Sequence, residues 1–242
     1  MFCIISLPRA SSVAIHSWIL ESLSIKYPEY KQYADNLLNT TPEIFQKSIE
    51  IFEYKAGVEN ILHRENSVYE QISPYVLYEQ IIDTTPLPII NLKVGKSYNI
   101  INKFIKNQRY KTITLLRRDL RQQFLSFILS MYTKTFHGDP HIIHQKRQMM
   151  SGIYVSEDMF TMWFEWLCRL HRIKQLTDYV FYIEDYVNDP EKLLKYLDLP
   201  ELDNYSKVVQ KTIDNNLVAK ITNIDEFNKN WNKYCSIYKD VI

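Results

Sequence analysis

Short apolar runs alternate along the chain with segments whose apolar residues recur every three or four positions. Residues 2–7 form an apolar run that ends at Pro8, a pattern typical of a strand buried on both faces of a parallel sheet. The segment that follows has apolar residues at helical spacing: Ala14, Ile15, Trp18, Ile19 and Leu23. Ser11 or Ser12 is a suitable N-cap, so the first unit is predicted to be strand, short loop and helix.

The same alternation continues through the rest of the chain. Further strands are predicted at 87–94, 112–116 and 180–183. Helices are predicted at 97–105, from 119 onward, over 160–173 and over 190–197, followed by a helical, polar tail at 203–242. Residues 27–86 are mixed and indicate a helical insertion punctuated by prolines. Strands that alternate with helices predict an α/β fold with three layers and a mostly parallel sheet, in a single domain spanning 1–242.

Composition and charge exclude several classes of protein. With 46% hydrophobic residues in 242, the chain can bury one large core. The formal net charge of +1 gives no overall basic field, so we expect no nucleic-acid partner and only a local anion site. The three cysteines are odd in number and form no C-x-x-C pair, which indicates neither a disulfide framework nor a zinc site and favours a reducing compartment.

The start of the chain has no basic segment and too short an apolar run for a signal peptide, and no apolar run reaches the ~18 residues of a membrane span. We therefore expect a cytoplasmic protein with no membrane partner. The four glycines, Gly57, Gly95, Gly138 and Gly152, all lie far from the first predicted loop. Their positions exclude a glycine-rich dinucleotide loop and a Walker-type phosphate loop after the first strand.

The loop over 8–13 is the first candidate anion site. It follows a predicted parallel strand and opens a helix, where ligands bind in α/β sheets and where backbone N–H groups attract anions. It offers the Arg9 guanidinium together with the hydroxyls of Ser11 and Ser12. An ordinary polar turn between strand and helix explains the same residues, and the loop alone does not decide between the two.

The second candidate lies after the predicted strand at 112–116. Arg118 follows the strand end and Ser126 comes eight residues later, close to a whole number of helical turns. The two side chains are therefore predicted to hold one phosphate from two sides, with Arg117 or Arg121 nearby. Taken alone, the same arginines suit a solvated basic helix start.

Together these segments resemble the sulfotransferases that use 3′-phosphoadenosine 5′-phosphosulfate (PAPS). The first loop resembles the family signature P-[KR]-S-G-[ST]-T, in which Pro8, Arg9 and Ser12 match. Three positions differ from it: Ala10, Ser11 and Val13. The resemblance implies that residues 9–13 bind the 5′-phosphosulfate, largely through backbone amides, within a P-loop-kinase-like core that carries helical insertions.

Two further segments carry the resemblance. Arg118 and Ser126 match the family's R-x7-S motif for the 3′-phosphate. The residues around them resemble the bacterial trehalose-type and phage-type branch of the family. Trp163 and the segment from Tyr182 to Pro190 resemble the family's tryptophan helix and its Y-E-D-L-x-x-D-P segment. The resemblance thus implies cofactor contacts from Arg118, Ser126 and Tyr182.

The implied reaction moves a sulfuryl group from PAPS to an acceptor hydroxyl or amine and leaves adenosine 3′,5′-bisphosphate (PAP), without a metal. Arg9 would neutralise charge at the leaving phosphate. By analogy the acceptor is a carbohydrate or another small molecule. A general base is harder to name, because Gly95 falls where cytosolic members carry the histidine of a K-T-H motif. Lys93 and His16 are the catalytic candidates, and Glu21 is a weaker one.

Two alternatives remain open at this point. A PAP-binding or nucleotide-binding protein without turnover is compatible with Gly95 and with the altered first loop. A phosphotransferase on a related sheet would need a glycine-lysine phosphate loop and a Mg²⁺ ligand, and the first is missing from the sequence. The histidines His137, His141 and His144 have spacing that a metal could use, but a polar loop on the acceptor side explains them as well.

Overall fold

The computed structural model describes residues 1–8, 10, 12–30, 89–94, 98–133, 152–186, 189–203, 218 and 220–241. Its strands are β1 (Phe2–Ser6), β2 (Ile89–Lys93), β3 (Lys111–Leu116) and β4 (Tyr179–Tyr182). Its α-helices are α1 (Ser12–Lys26), α2 (Tyr98–Lys106), α3 (Leu120–Thr133), α4 (Glu157–Lys174), α5 (Pro190–Tyr196) and α6 (Ile224–Ile237). Short 3-10 turns lie at Pro28–Tyr30 and Ile183–Asp185. Most of the predicted insertion over 27–86 and the histidine segment at 137–144 lie outside the described residues.

The four described strands form one parallel sheet in the order β2-β1-β3-β4. This confirms the predicted α/β class, and each predicted strand lies within two residues of an observed one. In register, Ser6 of β1 lies beside Lys93 of β2 and Leu115 of β3, while Leu116 of β3 lies beside Tyr182 of β4. The carboxyl ends of all four strands therefore meet at one edge of the sheet.

The sheet is covered by helices on both faces. All five residues of β1 are buried, and its first four side chains alternate between two separate hydrophobic clusters. Phe2 and Ile4 join the cluster formed with α1 and α5, whereas Cys3 and Ile5 join the cluster formed with α2, α3, α4 and α6. The arrangement has three layers, which explains why β1 carries apolar residues without polar alternation.

The strand order reverses between β1 and β3. From β1 the chain moves to β2 on one side, and from β2 it crosses to β3 on the other side of β1. The described helices change face at the same step, because α1 packs on one face and α2 on the opposite one. In open α/β sheets such a reversal leaves a crevice outside the carboxyl ends of the two strands, and ligands bind there.

Aromatic packing holds α3 against α4 and α6. The Phe124 ring of α3 lies 5.0 Å from the Phe160 ring, 5.3 Å from Trp163, 6.2 Å from Phe227 and 5.9 Å from Trp231, measured between centroids. The tail was expected to be helical and polar, and the expectation of a helix is confirmed over Ile224–Ile237. Its polar character is only partial, because α6 buries an aromatic stripe in this cluster.

Among the described helices, none combines the length and the apolar character that crossing a membrane requires.

Replacing Phe124 by alanine removes the ring at the centre of this aromatic cluster. Because Phe124 is fully buried, we expect the free energy of unfolding to fall by about 3–5 kcal/mol, through lost burial and the cavity left behind. Urea denaturation followed by circular dichroism measures this change. Leu176→Ala is the control, since Leu176 is 60% exposed and its truncation should change stability by about 0.5 kcal/mol or less. A loss below about 1 kcal/mol for Phe124→Ala would contradict the packing described.

Candidate functional site at the strand ends

A lysine lies at the carboxyl end of the first strand pair. Lys93 ends β2 beside Ser6, and its ammonium Nζ donates a hydrogen bond of 3.1 Å to the Ser6 hydroxyl. Ser6 is fully buried and Lys93 is half-buried. The Ser6 carbonyl also accepts from the Val94 amide at 2.9 Å, which extends the pairing one residue past β2. The candidate catalytic residue Lys93 is thus held at the edge where ligands bind in this class of sheet.

The loop after β1 is tied to α3 across the strand reversal. The Gln123 side chain is 1% exposed, and its amide Nε2 donates a 2.9 Å hydrogen bond to the Pro8 carbonyl. A buried amide must be satisfied, so this bond fixes the start of the loop relative to α3. Ala10 is also buried. No sequence pattern points to Gln123, because its partner depends on how α3 packs beside β1.

The remaining residues of the first loop can be located only in part. Ser12 and Val13 form the first positions of α1, and only their backbone is described. Arg9 and Ser11 lie outside the described residues, as does Gly95. The predicted order of strand, short loop and helix is confirmed, and the loop stands at the carboxyl end of β1.

The clearest polar cluster lies where β3 and β4 end. Because Leu116 and Tyr182 are in register, the chain positions two residues beyond them also come together. The Glu184 carboxylate Oε1 accepts from the Arg118 backbone amide at 3.1 Å and lies 3.7 Å from the Arg117 guanidinium Nε. Arg117 also donates from Nη2 to Gln122 Oε1 at 2.9 Å. Glu184 therefore fixes the backbone of the loop that carries both arginines.

Arg118 is held by a carboxylate and an aromatic ring. Its Nη1 lies 2.7 Å from Asp185 Oδ1, and its Nη2 donates to Asp185 Oδ2 at 2.9 Å, so the pairing is bidentate. The guanidinium carbon also lies 4.7 Å from the centroid of the Tyr182 ring. The hydrogen bond and charge of Arg118 lower the pKa of the Asp185 carboxyl, and Asp185 in turn raises the pKa of Arg118.

The geometry leaves part of Arg118 available to an anion. A guanidinium has five N–H donors, and bidentate pairing through both Nη atoms uses one donor on each. The Nε–H and one further N–H on each Nη remain, on a side chain that is 53% exposed. Such a donor set suits phosphate, so the residues present fit the nucleotide phosphate that the resemblance implies.

Ser126 lies on the inward side of α3. It is 6% exposed, and its backbone carbonyl accepts from the Ser130 hydroxyl at 2.8 Å. The helix begins at Leu120, so Arg118 precedes it and the helical spacing argued for Arg118 and Ser126 does not apply to both residues. The strand-end loop, and not a common helix face, sets the position of Arg118 relative to Ser126.

A third arginine borders the cluster. Arg121, in the first turn of α3, donates to the Asn228 side chain of α6 at 2.6 Å and lies 5.5 Å above the Phe227 ring. The sequence predicts Arg117 or Arg121 near the phosphate held by Arg118 and Ser126. The structure instead gives Arg121 contacts that join α3 to α6.

His16 directly follows the first turn of α1, and Glu21 lies further along the same helix. His16 is 6% exposed, so it is a nearly buried residue of the helix. Burial raises the pKa of the Glu21 carboxyl, and Glu21 lies in the second half of the helix, which runs away from the strand ends.

Trp163 of the predicted tryptophan helix is fully buried against Phe124 and Phe127.

Comparisons with models of protein families, with curated proteins and with solved structures found no match to this chain. The residues at the strand ends and the motifs in the sequence are therefore what indicates a function for this chain.

Removing Arg118 tests whether it controls the ionisation of Asp185. Because Arg118 lowers the pKa of the carboxyl, Asp185 stays ionised to a lower pH than an unpaired aspartate, and the ion pair is lost as the pH falls through this lowered pKa. We expect Arg118→Ala to raise the pKa of Asp185 toward the ordinary value of about 3.9. Titration of side-chain carboxyl carbons by NMR measures the shift. Arg109→Ala, which removes an exposed arginine before β3, is the control, and an unchanged Asp185 midpoint in Arg118→Ala would contradict the pairing.

Proposed function

We propose that this chain is a PAPS-dependent sulfotransferase with a P-loop-kinase-like core. The observation that carries the proposal is the position of its motif residues relative to the strand reversal. The loop after β1 and the Arg117–Arg118 loop after β3 flank that reversal, and the hydrogen bond from Gln123 to the Pro8 carbonyl connects the first loop to α3, the helix that follows the second. Nucleotides bind at such positions in α/β sheets, and this chain has arginine and hydroxyl groups there.

The nucleotide contacts follow from this arrangement. Arg118 holds the 3′-phosphate through the N–H donors that Asp185 leaves available, and Ser126 contributes its hydroxyl from α3. Tyr182, beneath the Arg118 guanidinium, contributes an aromatic surface beside the nucleotide. The amides at the start of α1 bind the 5′-phosphosulfate, as helix N-termini bind anions.

When bound, PAPS would supply the sulfuryl group to a hydroxyl or amine of a carbohydrate or other small molecule: the bond from sulfur to the 5′-phosphate oxygen breaks, the bond from sulfur to the acceptor forms, the acceptor proton passes to a base or to solvent, and PAP remains. The chain itself contributes positioning and charge. Arg9 neutralises negative charge at the leaving 5′-phosphate. Lys93, held by Ser6 at the end of β2, supplies a second cation at the same edge.

A PAP-binding protein without turnover is the second candidate function. The sequence feature that favours it is Gly95, which stands where the resemblance places the histidine that acts as general base. A turnover assay with PAPS and a panel of sugar and phenol acceptors separates the two functions, since PAP would be produced only by the enzyme.

Calorimetric titration with PAP, ADP and ATP tests the nucleotide assignment. We expect PAP to bind without a metal and more tightly than ADP, because only PAP carries the 3′-phosphate that Arg118 recognises. ATP is titrated with Mg²⁺, as a phosphotransferase would require. A preference for ATP with Mg²⁺, or no binding of any of the three nucleotides, would overturn the proposal.

Arg118→Ala isolates the 3′-phosphate contact. Loss of a charge-assisted, multiply bonded partner is expected to weaken PAP binding by roughly 10- to 100-fold. Binding of adenosine 5′-monophosphate (AMP), which has no 3′-phosphate, should change little. Arg109→Ala removes the same charge from the turn before β3 and should bind PAP like the unaltered protein. Equal weakening for PAP and AMP would show that Arg118 does not recognise the 3′-phosphate.

A further inference from the structure

The Asp185 carboxylate occupies one side of the arginine assigned to the nucleotide. Its two oxygens lie 2.7 and 2.9 Å from the two Nη atoms of Arg118. A carboxylate and a phosphate each present two oxygen acceptors to a guanidinium. Asp185 therefore pairs with Arg118 in the way that a bound phosphate would. Both side chains are partly exposed, 53% for Arg118 and 39% for Asp185, so an incoming anion can reach the pair.

The carboxylates also reduce the attraction of this cluster for an anion. The cluster contains two arginines, Arg117 and Arg118, and two carboxylates, Glu184 and Asp185, so its formal charge is zero. Glu184 is engaged by the backbone amide of Arg118 and lies beside the Arg117 side chain, which gives it a structural role in the loop. Asp185 engages the guanidinium of Arg118 itself. A dianionic phosphate that approaches Arg118 therefore meets a cation already neutralised by its neighbour.

We propose that Asp185 is a built-in competitor of the 3′-phosphate, which weakens nucleotide binding at Arg118 and favours release of the product PAP. This inference rests on the proposed function. The Asp185 charge opposes the phosphate across the guanidinium whether the nucleotide is PAPS or PAP. Its effect is limited to ligands that carry a 3′-phosphate, because it acts through Arg118.

A purely structural role for Asp185 predicts the opposite result. If the carboxylate served only to hold Arg118 in place for the phosphate, its neutralisation would disorder the guanidinium and weaken binding. Asp185→Asn distinguishes the two roles because it keeps the size of the side chain and one oxygen acceptor while it removes the charge. The exposed position of Asp185 makes the substitution compatible with folding.

The experiment compares PAP and AMP binding to the unaltered protein and to Asp185→Asn, by calorimetry at low ionic strength. We expect Asp185→Asn to bind PAP about three- to tenfold more tightly, since one opposing charge is removed from a dianion at short range in a solvated site. The gain should diminish on addition of salt, and AMP binding should be unchanged. Stopped-flow displacement should show that PAP dissociates more slowly from Asp185→Asn.

Asp198→Asn is the matched control. It makes the same chemical change at an aspartate that lies 4.0 Å from Lys26, at the end of α1 distant from the strand ends. Asp198 has a φ of 55°, a backbone region that asparagine also tolerates, so the control should fold normally. PAP binding to Asp198→Asn should match that of the unaltered protein.

The outcomes separate this inference from the proposed function. If the unaltered protein binds PAP and Asp185→Asn binds it equally or less tightly, the competitor role is wrong and the sulfotransferase proposal stands. If neither protein binds PAP, both are overturned. A tighter Asp185→Asn whose gain disappears in the Arg118→Ala background supports both, because the effect then passes through Arg118.

Discussion

The parallel pairing of β3 with β4 is the constraint on which the candidate site depends. Its register places Leu116 beside Tyr182, and the loops that follow the two strands must then run side by side. The two arginines of one loop meet the two acids of the other for this reason. A shift of one residue would separate these pairs and would also turn Phe181, the buried side chain of β4, to the opposite face of the sheet. Packing and site geometry are therefore set by the same hydrogen-bond ladder.

The three-layer packing explains why polar chemistry is confined to the strand ends. β1 is buried on both faces, so its interior positions accept only apolar side chains. Its last residue, Ser6, is the exception, and the hydroxyl is satisfied by Lys93 from the neighbouring strand. Gln123 satisfies the Pro8 carbonyl just beyond the strand. Buried polar groups must be paired, and here the pairing joins three elements around the strand reversal.

Much of the architecture could be predicted from hydrophobic periodicity, because buried parallel strands and amphipathic helices have distinct patterns. Arg118 could be identified as a candidate because it directly follows a predicted strand. The role of Asp185 could not, since it depends on the β3–β4 register, and sequence spacing does not determine which parallel strands are neighbours. The helical spacing between Arg118 and Ser126 was misleading for a related reason, as α3 begins only at Leu120. The aromatic face of the tail was underestimated because its partners lie on α3 and α4, about 60 to 100 positions earlier in the chain.

The charge balance at the strand ends has a consequence for any anion that binds there. Both arginines of the loop between β3 and α3, Arg117 and Arg118, are accompanied by carboxylates beyond β4, so binding energy there must come from geometry and donor number more than from net charge. Exposed ion pairs contribute little to stability. The Arg118–Asp185 pair is exposed, so stabilisation of the fold does not by itself explain its presence. Pairing with Asp185 leaves Arg118 fewer N–H donors for a ligand. This loss is consistent with a site in which weak binding of the product is an advantage. In the proposed enzyme, turnover would require release of the nucleotide as well as its capture, and the negative charge of Asp185, which stays paired with the guanidinium beside the phosphate, would favour the release step.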